Sequence, residues 1–126
     1  MPRPKLLGIS YAVEASLVFE SWRRVAAGVA EGEAREARAR VKSLATFEAR
    51  ARANPLAAGD PVARDRWPRS LAADYGADLP NLFRFELAGR WRGYYSLVGE
   101  PGGARVWVLY LWDHARYDRE SGYAKK

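Results

Sequence analysis

The octapeptide RVWVLYLW, residues 105–112, is apolar from Val106 through Trp112, so a strand running through it is hydrophobic on both faces. A sheet that meets water on one side needs alternation, and a strand without it must be covered on both sides. The stretch therefore predicts a central strand, flanked by other strands and covered above and below. A chain of 126 residues, 48% hydrophobic and 13% aromatic, is one domain's worth and can fill such a core.

Two further runs alternate. LFRFELA (82–88) sets Phe83, Phe85 and Leu87 against Arg84 and Glu86, and RWRGYYSLV (90–98) sets Trp91, Gly93, Tyr95 and Leu97 against Arg90, Arg92, Tyr94 and Ser96. The AG between them and the GEPGG at 99–103 are hairpin turns, which makes the three runs an antiparallel meander. Near the start, LLGISYAV (6–13) alternates Leu7, Ile9, Tyr11 and Val13 and reads as a strand ending before Glu14.

From Ala15 the spacing turns helical, with Val18, Trp22, Val25 and Val29 on one side and Glu20, Arg23 and Arg24 opposite. EGE at 31–33 breaks this run, with Gly32 as cap or loop residue. A second helix is expected from about Ala34 to Ala53, with Ala37, Val41, Leu44 and Ala45 inward and the Asn54-Pro55 pair as its stop. Residues 55–81, with Pro55, Pro61, Pro68, Pro80, Gly59 and Gly76, read as a long loop holding one turn of helix at SLAADY. The expected architecture is a single α+β domain over residues 1–126: N-terminal strand, helical hairpin, then a three-stranded antiparallel meander.

Charge and composition narrow the chemistry. Lys and Arg number 21 against 15 Asp and Glu, a net charge of +6 carried mostly by arginine, whose planar fork suits phosphate. With no cysteine and one histidine, disulfides, thiolate zinc sites and cysteine nucleophiles are excluded, and no metal or other cofactor is expected. No apolar run approaches a signal peptide or a membrane span, so the expected setting is the cytoplasm, with no membrane partner.

In a meander, Arg84 and Arg92 project from the face not filled by Phe83, Phe85, Trp91 and Tyr95, and the end of the last strand brings His114 and Tyr117 beside them. RNA cleavage asks for little more. The ribose 2′-OH is an internal nucleophile, so the site must supply a proton acceptor, a proton donor for the 5′-oxygen and cations for the phosphate. His114 suits either proton role. Tyr117 suits the other proton role or a base-stacking platform, and Arg84 and Arg92 suit the phosphate. The plainer alternative leaves His114 as a surface residue and pairs the two arginines with Glu86 or other nearby carboxylates. Arg35, Arg38 and Lys42 lie on the outer side of the second helix, with Arg50 and Arg52 further along. They read as an RNA-backbone contact or as a solvated face. Arg64, Arg66 and Arg69, around Trp67, either line a groove for RNA or anchor the loop. Arg90 and Arg116 join the RNA-contact set.

NLFRFELAGRWRGYYSLVG (81–99), followed by a strand and DHARYDRESGY, resembles the RelE/ParE toxin superfamily, in particular its archaeal RelE-like branch. The order of strand, helical hairpin and proline-bearing loop is similar to that family as well. The resemblance implies a toxin of a type II toxin–antitoxin system: a ribosome-dependent mRNA endoribonuclease that cuts without metal and is held silent by a small cognate antitoxin. Its functional positions fall on Arg84, Arg92, His114 and Tyr117. Glu86 stands where the family carries a second basic residue, and His114 and Tyr117 are closer together than in the better-known bacterial members. The same fold also hosts gyrase inhibitors of the ParE type, and a member that binds ribosome or RNA without cutting is a further alternative.

Overall fold

A computed structural model describes residues 5–28, 31–75 and 79–121. The chain is α+β. Its elements are β1 (Leu6–Tyr11), α1 (Val13–Ala26), α2 (Glu31–Ala53), β2 (Asp60–Pro61), α3 (Arg69–Tyr75), β3 (Phe83–Leu87), β4 (Trp91–Glu100), β5 (Gly103–Trp112) and α4 (His114–Ser121). Single turns of 3-10 helix lie at Arg64–Arg66 and Ala88–Arg90.

The expected three-stranded meander is present as β3, β4 and β5, but it is part of a larger mixed sheet of five strands in the order β1-β5-β4-β3-β2. β1 pairs with β5 in parallel; every other pairing is antiparallel. The extra edges have a physical cause. β5 is apolar on both faces from Val106 to Trp112, as suits a strand inside a sheet with a neighbour at each edge, and β1 supplies the second.

The doubly apolar octapeptide is explained by one irregularity. Tyr94 pairs with Tyr110 but Tyr95 with Val108, so Leu109 is an extra residue in β5, a β-bulge. Val106, Val108 and Leu111 pack into one core with Trp22, Leu44, Phe47, Phe83, Phe85 and Tyr95, beneath α1 and α2. Leu109, Tyr110 and Trp112 enter a second core on the opposite face with Leu71, Leu79, Leu82, Tyr94 and Tyr117, beneath α3 and α4. The first core is dense with rings: Phe47 stacks on Phe85 at 3.8 Å between centroids, and Phe83 on Tyr95 at 4.9 Å. Gly93 belongs to this packing, because the Phe85 ring occupies the space a Cβ there would need.

Several expectations are corrected. α1 and α2 are separate helices as expected, but Gly32 is not a cap or loop residue between them: it lies in the first turn of α2, where backbone N–H groups have no intrahelical acceptor. Ala45 is exposed, and from Leu44 the inward stripe continues through Phe47 and Ala51, three and then four residues on. Leu7 and Val13 face outward, at 37% and 77% exposure. A register shift between Leu6 and Gly8 changes the phase of β1, so Leu6, Ile9 and Tyr11 pack inward. Val29, Gly76 and the residues 122–123 fall outside the described residues.

The largest difference is at the end of the chain. Residues after Trp112 are not a strand terminus but the helix α4. Asp113 starts it: its Oδ1 accepts the Arg116 N–H at 2.8 Å and its carbonyl accepts the Tyr117 N–H at 2.9 Å. The helix is held to α1 by Glu14, which accepts the Trp112 indole N–H at 3.0 Å and lies 3.4 Å from the Arg116 guanidinium.

Candidate functional site

The pairing of β3 with β4 sets Arg84 opposite Tyr94 and Glu86 opposite Arg92, so both arginines leave the sheet on the face that carries the second core. α4 crosses that face. His114, Tyr117 and Asp118 share one side of it at spacings of three and four residues.

Tyr117 is buried at 5% exposure and lies between the two cations. Arg84 donates from Nη1 to the Tyr117 hydroxyl at 2.6 Å, and the Arg92 guanidinium sits 4.7 Å from the Tyr117 ring centroid. The ring stacks on Tyr94 at 6.2 Å. Both arginines also approach acids, as the plainer alternative expected: Arg84 lies 4.0 Å from Asp60 and Arg92 3.9 Å from Glu86. These contacts are long and the acids are 81% and 71% exposed, so each is a weak, screened pair that a phosphate can displace.

His114 stands one helical turn before Tyr117, next to the cluster, and its side-chain contacts are with Arg90 and Asp118 rather than with Arg84 or Arg92. Its Nε2 lies 3.0 Å from Arg90 Nη2 and 3.2 Å from Asp118 Oδ2. One is a donor and the other an acceptor. With the ring neutral and its proton on Nδ1, Nε2 accepts from Arg90; with Nε2 protonated, it donates to Asp118. A single proton therefore exchanges the partners of this nitrogen. Nδ1 is buried without a hydrogen-bond partner. Arg90 reaches the imidazole from a left-handed backbone conformation, φ 65°, which is uncommon for a side chain of this kind and is held here by the turn.

A cleft of about 250 Å³ opens beside Arg84 and Tyr117, bounded also by Pro61, Val62, Ala63, Arg66 and Tyr94. Arg66 therefore borders the cluster. Arg64 does not: it stacks on Trp67 at 4.3 Å and donates to the Leu79 carbonyl at 3.0 Å, while the Trp67 indole donates to Val62 at 2.9 Å. The proline-rich loop is anchored by this packing. Arg69 is exposed at the start of α3, away from the cleft lining.

Arg35, Arg38 and Lys42 are exposed on α2, which packs on the opposite face of the sheet, and Arg38 donates to the Ala26 carbonyl at 3.2 Å. Arg116 packs over Trp112 at 5.0 Å and pairs with Glu14. Of the residues expected to act together, the fold joins Arg84, Arg92 and Tyr117, sets Arg90 with His114 next to them, and leaves the α2 cations elsewhere. Two members were not foreseen. Tyr94 is on the Arg92 face by simple alternation, and Asp118 is four residues from His114, a spacing that carries meaning only once α4 is known to be a helix.

Among the described residues no group of three or more His, Cys, Asp or Glu could hold a metal ion, and no helix is long and apolar enough to cross a membrane. No known protein family, curated protein or solved structure matches this chain.

Proposed function

We propose that the chain is a RelE-like toxin of a type II toxin–antitoxin pair, a metal-independent endoribonuclease that cleaves mRNA on the ribosome. The observation that carries this reading is the Arg84–Tyr117–Arg92 cluster with the Arg90–His114 pair beside it. Further support comes from the order of elements, a strand and helical hairpin followed by the antiparallel β3–β4–β5, which agrees with the RelE/ParE-like arrangement that the sequence resembles.

In this mechanism Arg84 and Arg92 bind the scissile phosphate and offset the charge that grows on its oxygens. His114 Nε2 takes the proton of the 2′-OH as that oxygen attacks phosphorus. The P–O5′ bond breaks, and Tyr117 gives its proton to the leaving oxygen while Arg84 stabilises the resulting phenolate. The products are a 2′,3′-cyclic phosphate and a 5′-hydroxyl. The cognate antitoxin and a cytoplasmic setting belong to the same proposal.

A second reading, a RelE-like protein that binds ribosome or RNA without cutting, is favoured by one observation: the Tyr117 hydroxyl is buried and already engaged by Arg84. Mapping mRNA ends on translating ribosomes separates the two. The nuclease reading expects new ends within A-site codons, lost in the double variant Arg92→Ala, His114→Ala. Intact mRNA with ribosome co-sedimentation that survives the double variant establishes the binding reading instead.

A further inference from the structure

We infer that the structure holds a phosphodiester-binding subsite at Arg40, on the face of the sheet opposite the Arg84–Tyr117 cluster. The Arg40 guanidinium lies 5.3 Å from the Trp22 ring centroid and 5.2 Å from that of Trp91, two indoles that meet edge to face at 5.0 Å. Contacts to both rings fix the cation in place. It has no acid partner among the described residues, and its Nε is buried with no acceptor. Arg40 is partly exposed, and its shielded Nε–H, lacking an acceptor, leaves a guanidinium that an anion entering from the open side can engage.

Space for that anion is present. A cleft of about 250 Å³ is bounded by Glu36, Ala39, Arg40, Ala88, Gly89 and Trp91. Gly89 forms part of its wall, at a φ of +72° that suits glycine. Glu36 is exposed at the rim and leaves one acid against the ligand, which favours a diester with a single negative charge over a more highly charged anion. The indole of Trp91 adds an aromatic wall, a surface that single-stranded nucleic acid uses and a carboxylate does not.

The next residue along the turn, Arg90, reaches the other side of the sheet to His114. A single strand passing over the β3–β4 turn therefore meets Arg40 on one side and the Arg90–His114 pair on the other. The inference rests on the RNA-directed reading for the identity of the ligand, but it does not require that RNA be cut.

The test is equilibrium binding of a short oligouridylate at several salt concentrations. The wild type is expected to bind at low salt. Arg40→Gln should weaken binding several-fold and lower the slope of log K against log salt by about 0.7, the share of one phosphate on a single strand. Arg40→Lys, which keeps the charge, should restore the slope. In the wild type itself, phenylglyoxal modification of Arg40 should be suppressed by oligouridylate and not by polyglutamate, a readout that needs no variant to fold. An unchanged slope in folded Arg40→Gln, equal protection by polyglutamate, or no oligouridylate binding at low salt overturns the inference. Loss of cleavage with Arg40-dependent binding retained overturns the nuclease reading and leaves the subsite standing.

Discussion

Arg84 and Tyr117, 33 residues apart in sequence, are joined by a 2.6 Å hydrogen bond from a strand to the helix that lies over it. Removing the hydroxyl with Tyr117→Phe leaves the ring in its stack on Tyr94 and takes one acceptor from a half-buried guanidinium. The expected loss of stability is about 1–2 kcal/mol, read from urea unfolding midpoints. If the hydroxyl also transfers a proton, mRNA cleavage on ribosomes should fall by about 100-fold or more in the same variant. A drop in stability with cleavage intact would assign Tyr117 to holding the site only.

Arg92 and His114 act on different parts of the reaction in the proposed mechanism, so their combined replacement is the sharper test of activity. Arg92→Ala with His114→Ala should abolish cleavage while far-UV circular dichroism stays that of the wild type, since both side chains are partly exposed. Arg92→Lys keeps a charge but not the fork and should recover only part of the rate.

Four tyrosines give the fold an alkaline limit. Burial raises the hydroxyl pKa of Tyr11, Tyr75, Tyr95 and Tyr110, that of Tyr75 to about 12; the carboxylates of Glu48 beside Tyr11 and Asp74 beside Tyr110 push further in the same direction. The folded state holds these protons more tightly than the unfolded chain does. Stability is therefore full below about pH 10, the ordinary tyrosine value, and declines as pH rises beyond it, with Tyr75's contribution gone once its raised value is passed. Phenolate absorbance from these four rings should appear together with unfolding. Ionisation near pH 10 with unchanged circular dichroism would contradict the packing described.

Gly93 predicts a defect of the overpacking kind. A methyl group there enters the space of the Phe85 ring, itself pressed against Phe47. Gly93→Ala should destabilise by about 1–3 kcal/mol, and the double variant Gly93→Ala, Phe85→Leu should recover part of that loss. Chemical denaturation of the three proteins checks the expectation.

The sheet face of Arg84 and Arg92 was legible in the sequence because alternation in β3 and β4 is strict there. The central place of β5 was legible for the opposite reason, its want of alternation. The bulge at Leu109 was not, since a run apolar on both sides hides a change of phase. α4 escaped because an eight-residue, charge-rich helix has little apolar periodicity to detect, with Tyr117 its one large buried anchor. Its one signal was Asp113 three residues before Arg116, an N-cap spacing that many loops share. With α4 unseen, the contact of His114 with Arg90 and Asp118 was not expected.

The parallel pairing of β1 with β5 also sets an order of events during synthesis. Tyr11 has Val108 as its register partner, so the first strand made waits for nearly the last. At about 5–20 residues per second, that wait is on the order of 5–20 seconds, during which the α1–α2 hairpin can form but the sheet cannot close. Arg84 and Arg92 are made before β5 and α4, and Tyr117 after both strands of the pair. A growing chain therefore has no assembled cluster until Tyr117 has been made and α4 has folded onto the sheet.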